Sequence, residues 1–277
     1  MSRILVIILI LALVLMARKS KPAGDKAGHG LIGLPPNLSE PDVLRVATYN
    51  IQTGKDANGR RDLLASARVM SEAHLVGVQE VYAPSLGNLM GVGRAQTPRI
   101  AEHGGFGWLF CATRRRWLRE HRGNALLSKL PIKDWVVEML PDQSNKSFRN
   151  MTVAEVTWKG QQFHFINTHL HTRGGRETQL EIVLQEFAKY PRAILVGDFN
   201  SRAETTALAN ALKDIDVVDA VAVAGLDLDN RDRIDWILTR GFKVLDGEMV
   251  EIGVSDHPYY AVTPVSYTHL TLPTIGE

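Results

Sequence analysis

The chain has 277 residues, 45% hydrophobic and 22% charged, with a formal net charge of +2. That length carries one sizeable core, and the composition excludes a disordered or collagen-like chain. The single cysteine, Cys111, excludes an internal disulfide and any cysteine-cluster metal site.

The charge is uneven. Residues 1–40 hold five basic side chains against two acidic ones, so the remainder sums to −1. A near-neutral body argues against tight nonspecific binding to nucleic acid, which works by neutralising phosphates. Ile4 to Ala17 is an unbroken apolar run, preceded by Arg3 and followed by Arg18 and Lys19. As a helix it rises about 21 Å, short of a hydrocarbon core of about 30 Å. The length suits the apolar part of a signal sequence, but Leu15-Met16-Ala17 is a poor cleavage site. Residues 1–18 are therefore predicted as an uncleaved signal anchor, with a cleaved signal peptide as the alternative. The basic residues after the run favour retention inside, whereas the very short N-terminal tail favours export of the body. Residues 19–41, rich in Gly, Pro, Lys and Ser, are predicted as a flexible tether.

The body, residues 42–265, alternates strands and helices. Leu44 to Tyr49 predicts a strand, and Asp62 caps a helix to Glu72 with Leu63, Leu64, Ala67 and Met70 on one side. Leu75 to Gln79 predicts a short buried strand ending at Glu80. Trp108 to Cys111 and Asn124 to Ser128 follow as strands. Met151 to Trp158 and Phe163 to Thr168 alternate about Lys159-Gly160, a hairpin signal that ends at His169. Arg176 to Tyr190 predicts an amphipathic helix with Leu180, Val183, Leu184 and Phe187 inward. Ala193 to Gly197, Ile234 to Thr239 and Tyr259 to Val265 complete the strands. The class is α/β or α+β. Residues 266–277 do not continue this pattern. Their peptide can arise by translating a transposon-type sequencing adapter, so they are expected to be a non-native tail.

Polar residues cluster where these apolar runs stop: Asn50, Glu80, His169, Asp198 with Asn200, Asp235, and Asp256-His257. Carboxylates and amides suit a hard divalent cation, and imidazoles suit a phosphate anion. Seven segments stand in one order: Thr48-Tyr49-Asn50-Ile51-Gln52, Val78-Gln79-Glu80-Val81, Gly123-Asn124-Ala125-Leu126-Leu127-Ser128, Asn167-Thr168-His169-Leu170, Gly197-Asp198-Phe199-Asn200, Arg233-Ile234-Asp235-Trp236-Ile237 and Ser255-Asp256-His257-Pro258. Together they resemble the endonuclease/exonuclease/phosphatase superfamily, in a membrane-anchored or exported bacterial form with its catalytic body outside the cytoplasm.

The resemblance implies a four-layer sandwich, two mixed β-sheets flanked by helices. It implies a phosphoester hydrolase using Mg²⁺ or Mn²⁺, with Glu80 as the first metal ligand and Asn50 and Asp256 assisting. Asp198 would orient or deprotonate water, with Asn200 holding the water or a phosphate oxygen. His257 would contact the phosphate with Asp235 fixing its tautomer, and His169 would bind phosphate. Arg149 takes the place of a phosphate-contacting arginine, and Arg122 is a further candidate for the cleft. His74 departs from the Asp that relatives commonly carry there, outside the metal set. The basic run Arg114, Arg115, Arg116 and Arg119 reads as a solvated face or as an anion patch. A small phosphoester or a phospholipid head group is favoured over a nucleic acid, and a monomer is expected. A nuclease and a non-catalytic binding module are the alternatives.

Overall fold

Lys159 and Gly160 take φ of 49° and 72°, the positive values of a tight turn whose twist matches its strands. The hairpin predicted there is one unit of a larger design in the computed structural model of the chain. It describes residues 3–18, 20–34, 39–85, 95–116, 119–141 and 147–266. Its helices are α1 (Arg3–Arg18), α2 (Leu63–Met70), α3 (Gln96–Gly104), α4 (Arg176–Ala188), α5 (Thr206–Ala211) and α6 (Ala220–Val223). Its strands are β1 (Lys21–Pro22), β2 (Lys26–His29), β3 (Val46–Asn50), β4 (Leu75–Ala83), β5 (Gly107–Arg115), β6 (His121–Ser128), β7 (Ile132–Leu140), β8 (Arg149–Trp158), β9 (Gln161–His169), β10 (Ala193–Asp198), β11 (Val217–Asp219), β12 (Asp235–Arg240), β13 (Phe242–Val250) and β14 (Tyr259–Ser266).

These strands form two sheets, β1-β5-β6-β4-β3-β14-β13 and β11-β12-β10-β9-β8-β7-β2. Each is mixed: β3–β4 and β9–β10 are the parallel pairs, among antiparallel neighbours. Alternate residues of the central strands face opposite sides, and both sides are covered. Val46, Leu75 and Leu126 of the first sheet meet Phe165, Val196 and Ile237 of the second. Ala47, Tyr49 and Val78 turn the other way onto Met70 of α2 and Ile100 of α3. Ile166, Leu195 and Leu238 turn onto Val183 and Phe187 of α4 and Leu208 of α5. Three apolar interfaces therefore bind four layers, the expected sandwich. Burial on both faces is why these strands read as continuous apolar runs rather than alternating ones.

Several expectations need correction. In α2, Leu64 is exposed and Ser66 takes its place inside, because the inward stripe follows positions 63, 66, 67 and 70. Asp62 does cap that helix, accepting from the Ala65 N–H. Strand β4 does not stop at Glu80 but runs to Ala83. Part of the expected tether is ordered into sheet: β1 pairs with β5 and β2 with β7, because both outer strands offer unpaired backbone edges. No helix among the described residues is long and apolar enough to cross a membrane. Residues 3–15 of the 16-residue α1 are nonetheless all exposed, its large apolar side chains from Ile4 at 68% to Val6 at 41%. The expected non-native tail, from residue 267 on, lies outside the described residues.

Candidate active site

Register assembles the site. The parallel β9–β10 ladder sets His169 beside Asp198, and the antiparallel β10–β12 ladder sets Asp235 on its other side. One row of three chemically active side chains thus crosses three strand ends. Asn50, the last residue of β3, approaches from the facing sheet and donates Nδ2–H to Asp198 Oδ2 at 3.0 Å. Gly197 permits this close packing. Its φ is 149°, and a Cβ there would lie 2.1 Å from the Thr168 carbonyl oxygen.

The two oxygens of Asp198 have different work. Oδ1 accepts the Asn200 N–H at 2.9 Å, an Asx-type turn at the strand exit. Oδ2 accepts from Asn50 and lies 3.3 Å from His169 Nε2 and 3.8 Å from His257 Nε2. Asp198 is 1% exposed. Burial first, then repulsion from Asp235, pushes it up to about 7, against the pull of His257, Asn50 and the Asn200 amide. Dehydration disfavours the anion, so this carboxylate is a stronger base than an ordinary aspartate.

The two histidines are poised oppositely. Burial drives His169 well below 6.5, and the charges of Arg149, His257 and His171 push the same way. Its Nδ1 sits 3.3 Å from Arg149 Nη1, which can only donate, so Nδ1 accepts and Nε2–H faces Asp198. For His257, burial pulls down, but the hydrogen bond and charge of Asp235, then Asp198 and Asp256, raise it to about 9. Its Nδ1–H donates to Asp235 Oδ2 at 2.7 Å. Neutral pH therefore meets one neutral imidazole and one cationic imidazole on either side of Asp198.

Glu80 reaches the cleft by a backbone irregularity. Val78 pairs with Ala125 and Val81 with Gly123, so Gln79 and Glu80 together oppose Asn124. Glu80 takes φ of 58° at this bulge. The extra residue re-aims a side chain that a regular strand would send elsewhere. With Thr53, Arg114, Arg122, Arg149 and His169 it lines a cavity of about 170 Å³. Asp256 is exposed and joins the group through Ser255, whose hydroxyl donates to the Asn50 carbonyl at 2.7 Å.

The structure thus gathers Asn50, His169, Asp198, Asp235 and His257 in direct contact, with Arg149 behind His169. Glu80 and Arg122 stand on the adjoining cavity wall. Asn200 is spent on positioning: its Nδ2–H goes to the Leu170 carbonyl at 3.1 Å. Sequence reading missed the support beneath. Gln79 Nε2–H reaches across the sheets to Asn167 Oδ1 at 2.8 Å, and Asn124 Nδ2–H to Asn150 Oδ1 at 3.0 Å. Both bridges are fully buried, and each is signalled only by an amide inside an apolar strand. Arg176 Nη1–H also clamps the Asn200 carbonyl at 2.6 Å.

This arrangement accords with the match of residues 47–257 to the model of the Endonuclease/Exonuclease/phosphatase family. The chain belongs to that family. Its fold is similar to an endonuclease/exonuclease/phosphatase from Beutenbergia cavernae, at 22% identity and a TM-score of 0.66, covering 80% of this chain and 71% of the other. It is also similar to a mannosyl-6-phosphatase from Bacteroides thetaiotaomicron (17%, TM-score 0.58, 80% and 99% covered). A third similar structure is D. rerio TDP2 complexed with single strand DNA product (17%, TM-score 0.58, 82% and 100% covered). No curated protein matches the chain by sequence.

Members of this phosphoesterase family typically use divalent metals, and two donor sets in the chain bear on that. Asp198, Asp235 and His257 bring ligand-type atoms within 4.8 Å of one another. Such a group can hold a metal ion, but here Asp235 Oδ2 is already taken up by His257 Nδ1 at 2.7 Å. The oxygens of Glu80, Asn50 and Asp256 are freer. No group among the described residues donates to the Glu80 carboxylate. Among the described residues Asn50 Oδ1 accepts only the Gln52 N–H at 3.1 Å, and Asp256 Oδ1 has only the Ser255 hydroxyl oxygen nearby at 3.3 Å, whose proton goes to the Asn50 carbonyl. An all-oxygen set fits a hard cation that keeps several waters.

Proposed function

We propose that the protein hydrolyses phosphoesters with a divalent cation, Mg²⁺ or Mn²⁺, held by Glu80, Asn50 and Asp256. The convergence of Asn50, His169 and His257 on one oxygen of Asp198 carries this reading. A cation bound there would neutralise phosphate charge and stabilise the leaving oxygen. Asp198 orients the attacking water and accepts its proton, since a buried carboxylate fixed by three donors is both positioned and more basic than usual. His257, kept cationic by Asp235, donates Nε2–H to a phosphate oxygen. His169 keeps Asp198 in place and faces the phosphate, the Arg149 fork binds its oxygens, and Arg122 binds substrate phosphate on the adjoining cavity wall.

A small phosphodiester or monoester, or a phospholipid head group, is the preferred substrate. The near-neutral body and the all-round apolar α1, read as a membrane anchor with the body outside the cytoplasm, favour it. A nuclease is the second reading, favoured by the three arginines on one cavity wall. The test is a panel with the purified chain: bis-p-nitrophenyl phosphate, p-nitrophenyl phosphate, sphingomyelin, and single- and double-stranded DNA, with Mg²⁺ or EDTA. Hydrolysis that EDTA stops supports the mechanism, and full activity in EDTA rejects it.

A further inference from the structure

The mechanism above uses Arg149 and Arg122 but leaves Arg114 unexplained. All three face one cavity beside Glu80. Arg114 lies directly opposite Arg122 across the β5–β6 ladder, just past a bulge between Ala112 and Arg114. Arg122 lies opposite Tyr82 across β4–β6, its guanidinium 4.9 Å from the ring centre. The row Tyr82, Arg122, Arg114 therefore crosses three strands on one face.

Like charges directly opposite each other destabilise a sheet. Glu120 answers part of this charge, 3.5 Å from Arg116 and 3.6 Å from Arg122. Arg114 has no acidic partner among the described residues. Burial, then the charges of Arg116, Arg122 and Arg149, lower it to about 10, so it stays cationic at neutral pH and repelled by its neighbours. No acidic group among the described residues repays that arrangement at Arg114, whereas an anion in the cavity would.

We infer that Arg114 and Arg122 form a second anion subsite, which takes a further phosphate of the substrate beside the one that is cleaved. The inference rests on the phosphoesterase reading and narrows it to substrates with two neighbouring phosphates. Arg149 links the two places: it meets His169 at 3.3 Å and lines the same cavity as Arg114 and Arg122. The Arg122 guanidinium lies over the Tyr82 ring at 4.9 Å, and its planar fork suits bidentate recognition of phosphate oxygens.

Calorimetry on the full chain in EDTA tests this without catalysis. Orthophosphate and tripolyphosphate are titrated into wild type, Arg114→Gln and Arg114→Lys, with thermal melting to confirm folding. Wild type should prefer tripolyphosphate, and Arg114→Gln should cut that preference roughly tenfold, the worth of one charge-assisted contact. Arg114→Lys, a point charge without the fork, should fall between. The dinucleotide pTpT, added as competitor, distinguishes a nucleotide chain, which displaces tripolyphosphate, from a compact polyphosphate ester, which it leaves bound. An unchanged preference in folded Arg114→Gln overturns the subsite. Intact preference in a protein that hydrolyses neither an ester of the panel nor a compact bisphosphate ester would leave the subsite standing and reject the phosphoesterase reading.

Discussion

Asp235→Asn removes one charge while keeping the side-chain shape, and its consequence can be worked out from His257. The rise of this imidazole from 6.5 to about 9 corresponds to about 3 kcal/mol of preference for the charged form. Linkage sets the sign: a base whose folded value is raised gives stability that is complete below the unfolded value and lost as pH climbs through the folded one. For His257 that window runs from 6.5 to about 9. Asp198, an acid raised from 3.8 to about 7, loses its share lower down, across that earlier interval. Between pH 7 and 9 the His257 term alone should therefore cost the wild type about 2 kcal/mol of unfolding free energy. Asp235→Asn should be less stable at pH 7 and lose far less between pH 7 and 9. Urea unfolding at both values, in EDTA, measures this, and subtracting the variant from the wild type cancels the titrating groups that Asp235 does not touch; Asp198, which Asp235 repels, titrates lower in the variant. Ring-proton NMR supplies a second reading, with His257 titrating well below 9 in the variant. Parallel pH slopes, or a His257 ring still titrating near 9, would refute the pairing.

Three further outcomes follow from the geometry. Gly197→Ala meets the Thr168 carbonyl at a backbone angle that side chains rarely adopt. It should cost at least about 2 kcal/mol in urea unfolding and lower kcat by shifting Asp198, whereas Gly174→Ala, with nothing within 4 Å, should be close to neutral. Glu80→Gln should lower metal-supported turnover about a hundredfold or more and weaken Mg²⁺ binding by calorimetry. Unchanged Mg²⁺ affinity would remove Glu80 from the ligand set. Deleting residues 1–18 should abolish flotation with anionic liposomes, and flotation of the shortened chain would end the anchor reading.

The sequence was most legible where strands are buried on both faces. Leu75 to Gln79 and Ala193 to Gly197 read as strands because α-helices cover one side of each and the facing sheet the other. The unrecognised strands are hydrophilic and lie near sheet edges. Strand β13 is exposed or half-buried along nearly its whole length, and β7 interleaves Lys133, Asp134 and Glu138 among its apolar residues. Strands β1 and β2 carry no β-branched residue at all; only the waiting edges of β5 and β7 order them.

The site shows the same division between residue type and geometry. Each strand-end side chain was visible in the sequence because it interrupts an apolar run. The register was not, since the partners of Asp198 lie at positions 50, 169, 235 and 257 and only tertiary pairing brings them together. Glu80 makes the point most sharply. In sequence it ends an apolar run, which would leave it a solvated strand terminus. In the fold the strand continues past it, and one residue more than Asn124 can pair forces a bulge with positive φ. Buried amides on either side restrict how far that bulge can relax: Gln79 is tied to Asn167 on the opposite sheet and Asn124 to Asn150. The carboxylate is thus aimed by strain in one sheet and held by hydrogen bonds to the other. Removing either bridge, as in Gln79→Leu, should loosen Glu80 without touching it. Its signature is weakened Mg²⁺ affinity that Asn50→Ala, a direct loss of a ligand, would not reproduce by the same route. In a double-mutant cycle, Gln79→Leu should have no further effect on metal affinity once Glu80 is Gln. Additive losses in that cycle would show that the bridge and the bulge act independently.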